Sequence, residues 1–261
     1  MDKTLEFLVP SGLPCEIRMQ NGEDDEILSS VRLQKEGNNI NAFVAAIVNK
    51  FNGAKLTLQD VIDMRLSDKY YILIQSRVFS LGDELEFDYT WDKEQGPIRY
   101  TEDLNTFLWD YSKPFPYNPE DEGYHPHRIK PFPVNGENFD YHYLYFELGG
   151  RKFRMRHVDG RLEKYLIKCD DINNNSLFYG RELSQLFMEM KEGEEVVEKY
   201  IPVTTFKAFT PREMAQLRGI LETFDDGNAQ ISMDLENPNN PGEVIDVPLL
   251  SLDDFLSPRL I

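Results

Sequence analysis

The stretch "GRKFRMRHVDGRLEKYL" (150–166) reads like "GLPCEIRMQNGEDDEIL" (12–28). Aligned without a gap, at an offset of 150 − 12 = 138, Gly12 falls on Gly150, Cys15 on Phe153, Ile17 on Met155, Arg18 on Arg156, Gly22 on Gly160 and Leu28 on Leu166. Upstream, "TLEFLVPSGLPCEIRMQNG" alternates apolar and polar residues on both sides of Pro10, Ser11 and Gly12, a pattern that predicts a β-hairpin. "YLYFELGGRKFRMRHVDG" does the same around Gly149 and Gly150, with Phe7 set on Tyr145 and Leu8 on Phe146 at the same offset.

The echo continues along the chain. Helical stretches are expected after each hairpin, in "EDDEILSSVRLQKEG" and "RLEKYLIKC", with Glu23, Asp24 and Asp25 suited to a helix N-terminus, where the free amides favour negative charge. The next segments also read as helices: "NINAFVAAIVNKF" with Phe43, Ile47 and Phe51 on one stripe, and "RELSQLFMEMKEG" with Leu183, Leu186, Phe187 and Met190 on another. Asn residues before the first can cap it, and Thr57 can cap "TLQDVIDMRL". "SDKYYILIQSRVFS", from Ser67, and "TPREMAQLRGILETF", from Thr210 with Pro211 at the first helical position, place Tyr71 on Met214, Ile74 on Leu217 and Val78 on Leu221. Tyr71, Ile74, Met214 and Leu217 are therefore expected in cores. A closing hairpin follows in each half, with Leu85 set on Ile231, Phe87 on Met233, Tyr89 on Leu235 and Gly96 on Gly242. The offset drifts from 138 to 146 (231 − 85), as loop insertions produce.

The expected fold is α+β: two tandem copies of a unit made of a β-hairpin, three to four helices and a closing β-hairpin. The units are read as 1–112 and 141–261, joined by a Pro- and aromatic-rich arm at 113–140. Frequent proline favours extended, polyproline-like chain there. A plain linker has no need of Phe115, Tyr117, Tyr124, Phe132 and Phe139, so the arm is expected to pack on its own domains or to bind a partner, with Phe115, Tyr117, Tyr124 and Phe132 as the partner-binding candidates.

Composition narrows the function. With 41% hydrophobic and 12% aromatic residues the chain has the makings of a packed core. A formal charge of −18 argues against nucleic acid and against acidic membrane surfaces, since phosphate binding needs a basic face. No segment reaches the roughly 18 apolar residues of a membrane span and no signal-peptide pattern opens the chain, so a soluble protein is expected. Two cysteines, Cys15 and Cys169, make no disulfide framework and read as buried thiols of a reducing compartment.

The segment "DINNNSLFYGRE" (171–182) has the spacing of an EF-hand loop, with Asp171, Asn173 and Asn175 at positions 1, 3 and 5 and Glu182 at position 12. Ser176 stands where the tight turn calls for Gly, and Tyr179 at position 9, so an Asn-rich inter-helix loop is the reading preferred. His125 and His127, with His142 farther on, are too few for a metal site in extended chain, and His157 reads as an exposed or capping residue. No nucleophile elbow, Cys/His signature or Gly-rich phosphate loop is present, so no catalytic residue, cofactor or metal is expected.

The residues "VPSGLPCEIRMQNGEDDEIL" and "LTLQDVIDMRLSDKYYILIQSRVFSLGDELEFDYTW" resemble the T-even-type baseplate protein family of contractile-tailed bacteriophages, which includes hub assembly proteins. The likeness is clearest over 5–91, looser over 141–261, and does not extend to the arm. Many relatives carry Cys pairs in the closing hairpin turns that look zinc-binding. Here the turns read "WDKEQG" and "ENPNNPG", so no structural zinc is expected. The resemblance implies a non-enzymatic structural or assembly protein of the tail baseplate or hub, assembled in the host cytoplasm, with other baseplate or hub proteins as partners and neither nucleic acid nor membrane. Two further readings stand beside it: a soluble tail-assembly chaperone absent from the mature virion, and a calcium-binding interaction module using the 171–182 loop.

Overall fold

The computed structural model describes residues 3–92, 96–132, 140–157, 159–161, 187–190, 209–223, 232–249 and 255–256. The fold is mixed α+β and divides into two compact units. The first comprises 1–61, 67–131 and 228–261; the second comprises 62–66 and 132–227. These lines differ from the 1–112, 113–140 and 141–261 division read from the sequence. Residues 62–66 belong with the second unit, and the hairpin from the end of the chain belongs with the first.

In the first unit, β1 (Thr4–Leu8), β2 (Pro14–Arg18) and β3 (Val48–Phe51) form an antiparallel sheet with β2 central. Cys15 and Ile17 are buried on one face, while Glu16 turns to the other and meets Lys50 at 3.0 Å. The hairpin tip needs the left-handed conformation of Gly12 (φ 79°), and the Ser11 amide donates to Asp68 Oδ1 at 3.0 Å, tying the tip to a helix far along the chain. Helix α1 (Gly22–Ser29) starts with a reciprocal cap between Asn21 and Asp24. Asp24 is buried and holds Arg18 through two bonds of 2.7 and 2.8 Å. Ser30 ends that helix and caps α2 (Val31–Glu36), and α3 (Asn39–Ile47) then buries Phe43, Val44 and Ile47.

At Val48 the expected helix becomes strand β3, so Phe51 is not on the helical stripe of Phe43 and Ile47. The same correction applies in the second unit, where Phe187 and Met190 lie in strand β8 (Phe187–Met190). In both places a short apolar run fits a helical and an extended period equally well, and the unpaired edge of a hairpin decides it.

Helix α4 (Leu58–Ile62) is capped by Thr57, whose Oγ1 accepts from the Asp60 amide while Asp60 Oδ2 accepts from the Thr57 amide. Helix α5 (Leu66–Leu81) is buried around most of its circumference, with Tyr71, Ile72, Leu73 and Ile74 inaccessible. Arg77 closes its C-terminus by donating to the Gly82 and Glu84 carbonyls. Strands β4 (Glu84–Tyr89) and β5 (Ile98–Asp103) form a hairpin with Leu85 and Phe87 buried. Strands β9 (Ser232–Glu236) and β10 (Val244–Pro248) form a second, with Met233, Leu235 and Val247 buried; Tyr100 Oη donates to the Glu236 carbonyl.

In the second unit β6 (Tyr143–Leu148), β7 (Arg151–Arg156) and β8 repeat the antiparallel order of the first sheet. Gly149 and Gly150 (φ 59° and 75°) make a tight turn of the mirror-image type that matches strand twist. Helix α6 (Pro211–Thr223) begins at Thr210, which exchanges capping bonds with Glu213. The core gathers Leu144, Leu148, Phe153, Met155 and Leu217. Met214, expected in the core, is half-buried at its margin beside Phe146, Phe209 and Ile220.

Register corrects the gap-free alignment. Leu5 pairs with Ile17 and Phe7 with Cys15, whereas Leu144 pairs with Met155 and Phe146 with Phe153. Phe7 therefore corresponds to Phe146, not Tyr145. Residues 8–14 intervene in the first hairpin and 147–152 in the second, one fewer, and a one-residue slip exchanges the faces of a strand.

Candidate functional site

The arm is built on an aromatic ladder that starts in the core. Tyr71, on α5, donates its hydroxyl to the Trp109 carbonyl and accepts from Gln75 Nε2 at 2.9 Å; burial pushes its phenol up to about 12. Tyr71 meets Tyr111 edge-on (5.0 Å between centroids), Tyr111 lies parallel to Phe115 (6.5 Å), and Phe115 meets Tyr117 edge-on (5.0 Å). Pro116 and Ile129 are buried and Phe115 is half-buried, so the arm is anchored at those points, whereas 117–124 is exposed throughout. Tyr117 is left 60% exposed and Tyr124 38% exposed.

Of the four aromatics singled out in the sequence, Phe115 is half-buried in the ladder and Tyr117 and Tyr124 reach solvent. Phe132 does not join them. It belongs to the second unit, where its ring lies 5.1 Å from the Arg65 guanidinium and 5.0 Å from the His157 ring. Residues 125–128 are held inside the first unit: His125 edges Phe107 at 5.2 Å, His127 Nε2 lies 3.1 Å from Asp234 Oδ2, and Arg128 covers the Trp109 ring at 5.0 Å while donating to the Thr106 carbonyl. Gly123 is required there, because a Cβ would meet Trp109 at 2.7 Å.

The second constellation lies wholly in the second unit and was missed in the sequence. Arg65, in the 62–66 segment, is 1% exposed. Its Nε, Nη1 and Nη2 donate to the carbonyls of Tyr141 (2.7 Å), Phe132 (2.7 Å) and Asp140 (2.6 Å), between the Phe132 and Tyr141 rings. Its backbone bridges to Asp159. Around it, Asp159 holds Arg156 and Arg161, and Asp63 meets Arg161 at 2.9 Å. "DMRLSD" reads as an ordinary exposed helix cation, and only the three converging carbonyls reveal otherwise.

His157, expected to be exposed or capping, is buried at 6% exposure. Burial, then the Arg65 charge, holds its imidazole well below its ordinary value, against a hydrogen bond to the Asp140 main chain that works the other way. A histidine kept neutral in the fold but free to charge when unfolded favours unfolding as pH falls below about 6.5. Stability of the second unit should therefore decline by up to about 1.4 kcal/mol per pH unit from pH 6.5 downward, until His157 charges in the fold. Urea titrations between pH 8 and 5 check this, and a midpoint flat across that range contradicts it.

Cys15 is a buried thiol, pushed up by burial and then by Asp68 and Glu16, so thiolate chemistry there is suppressed. Cys169 and the 171–182 loop lie outside the described residues. Among the described residues no group of three or more His, Cys, Asp or Glu side chains is arranged to hold a metal ion, and no helix is long and apolar enough to cross a membrane. An open hollow of about 490 Å³ lies beside the Gly149–Gly150 turn and the start of α6, lined mainly by polar and charged side chains including Arg212, Glu213 and Gln216. No family model, no curated protein and no solved structure matches the chain.

Proposed function

We propose that this chain is a non-enzymatic structural or assembly protein of a phage contractile-tail baseplate or hub, built from a duplicated α+β unit and binding other baseplate proteins. The observation that carries the reading is the recurrence of one order of elements. A three-stranded antiparallel sheet, a helix begun near a Ser or Thr, and a two-stranded hairpin occur in 4–103 and again in 143–248. Apolar pairs recur with them, buried Ile17 with half-buried Leu5 and buried Met155 with buried Leu144. Each unit carries one such three-stranded sheet; two related elements on one chain suit bridging of repeated subunits, and the resemblance of 5–91 to baseplate proteins supplies the setting. The exposed Tyr117 and Tyr124 of the arm are of the type enriched in protein interfaces.

Mass spectrometry of purified, finished particles tests the reading. Presence at a fixed ratio makes the chain a structural subunit of the virion baseplate. Absence from particles whose assembly nonetheless requires it makes it an assembly chaperone acting in the host cytoplasm. A chain neither present in particles nor needed for them overturns the proposal.

A further inference from the structure

We infer that the second unit releases its 62–66 segment in acid, with His157 as the group that takes up the proton. Arg65 and His157 converge on the same two partners. The Phe132 ring lies 5.1 Å from the Arg65 guanidinium and 5.0 Å from the His157 ring. The Asp140 carbonyl accepts from Arg65 Nη2 at 2.6 Å, and the His157 imidazole bonds to the same main chain. The charged and titratable groups that face His157 are Arg65, Arg156 and His142. The carboxylates of the neighbourhood are engaged elsewhere: Asp159 with Arg156 and Arg161, Asp63 with Arg161, and Asp140 with the amides of His142 and Tyr143. An imidazolium would therefore add a second buried cation to the ring and the carbonyl that already hold Arg65.

The two cations are not equally fastened. His157 directly follows β7, the central strand of its sheet, and its amide donates to the His142 carbonyl at 2.9 Å. The 62–66 segment lies where α4 ends and α5 begins, and its chain neighbours, Val61 and Ser67, both belong to the first unit. It is docked through one isolated backbone bridge, Arg65 to Asp159, the side-chain bonds of Arg65 and Asp63, and the burial of Met64 and Leu66. Charging His157 thus drives out the segment and leaves the strand. Met64 and Leu66, 1% and 7% exposed when docked, then come to the surface. Docking that excludes a proton from His157 weakens by up to about tenfold per pH unit below about 6.5, where a released imidazole charges.

Hydrogen exchange of the purified full chain, corrected for the intrinsic effect of pH, tests this at pH 7.5 and 5.5. Protection of the 63–66 amides should fall about tenfold between the two. Low urea should not alter it, as local opening requires, and the β6–β7 amides should stay at least about tenfold better protected at both pH values. His157→Gln should abolish the response to pH, whereas His142→Gln should leave it in place. If His157→Gln does not fold, NMR titration of the His157 ring in the wild type decides the same question: its midpoint must coincide with that of the 63–66 response. Constant 63–66 protection across this range overturns the inference. So does exchange at 63–66 only together with β6–β7, a response that survives His157→Gln or is lost in His142→Gln, or midpoints that differ.

Discussion

Arg65→Ala is expected to destabilise the second unit by about 4 kcal/mol. The guanidinium is enclosed, and its three bonds end on main-chain carbonyls rather than on a carboxylate. Removing it strips the carbonyls of Phe132, Asp140 and Tyr141 of the shared donor that ties these part-buried segments together. It also removes the cation from between two rings. Arg65→Lys should recover only part of the loss, because one ammonium is a point charge and cannot span three acceptors set out for a planar fork. Trp91 and Trp109 both belong to the first unit, so tryptophan fluorescence is the wrong probe for this variant. Hydrogen exchange at the β6–β7 amides is the right one. Protection there should fall by about three orders of magnitude, and wild-type protection would refute the role given to Arg65.

Tyr71→Ala should have an effect of similar size in the first unit, about 3–5 kcal/mol. The ring is 1% exposed and touches Phe7 and Tyr111, and its hydroxyl is satisfied on both sides. Truncation therefore opens a cavity in the core and unseats the ladder on which the arm is built. Tyr71→Phe keeps the packing and loses the bond to Trp109, at a cost of about 1 kcal/mol. The two effects separate by experiment. Urea unfolding followed by tryptophan fluorescence reads the stability, and trypsin cleavage after Arg128, the cleavable site in the arm, reads the arm. Both substitutions should lower the midpoint, but the alanine variant should also cut faster in the arm under native conditions. An arm that resists trypsin in Tyr71→Ala would mean that it is held by Arg128 and Ile129 instead.

Turns and caps were the most legible features, because their chemistry is local. The Pro10–Gly12 and Gly149–Gly150 turns, and the Thr57 and Thr210 caps, each follow from two or three adjacent residues. Strand β3 was misread because "AAIVNKF" is too short for periodicity to tell helix from strand; its extended form comes from Cys15, Glu16 and Ile17, more than thirty residues away. Alternation located the hairpins but not their exact pairing, since one residue in a turn moves Phe146, rather than Tyr145, into the place of Phe7. In the arm, composition marked Phe115, Tyr117, Tyr124 and Phe132 as a group. It could not reveal that Phe132 belongs with Arg65, because that pairing joins chain segments 67 residues apart.

The division of the chain between the two units also sets an order of events during synthesis. The first unit includes 228–261, so its last hairpin leaves the ribosome only after 132–227 has been made. At roughly 5–20 residues per second those intervening residues take about 5–20 s. Through that interval the surface destined to receive Met233, Leu235 and Val247 stands open, in a nascent chain whose early strands are already paired by their own turns. Unfinished chains are thus most vulnerable to aggregation in that window, whose length is set by the rate of synthesis and not by how fast the second unit folds.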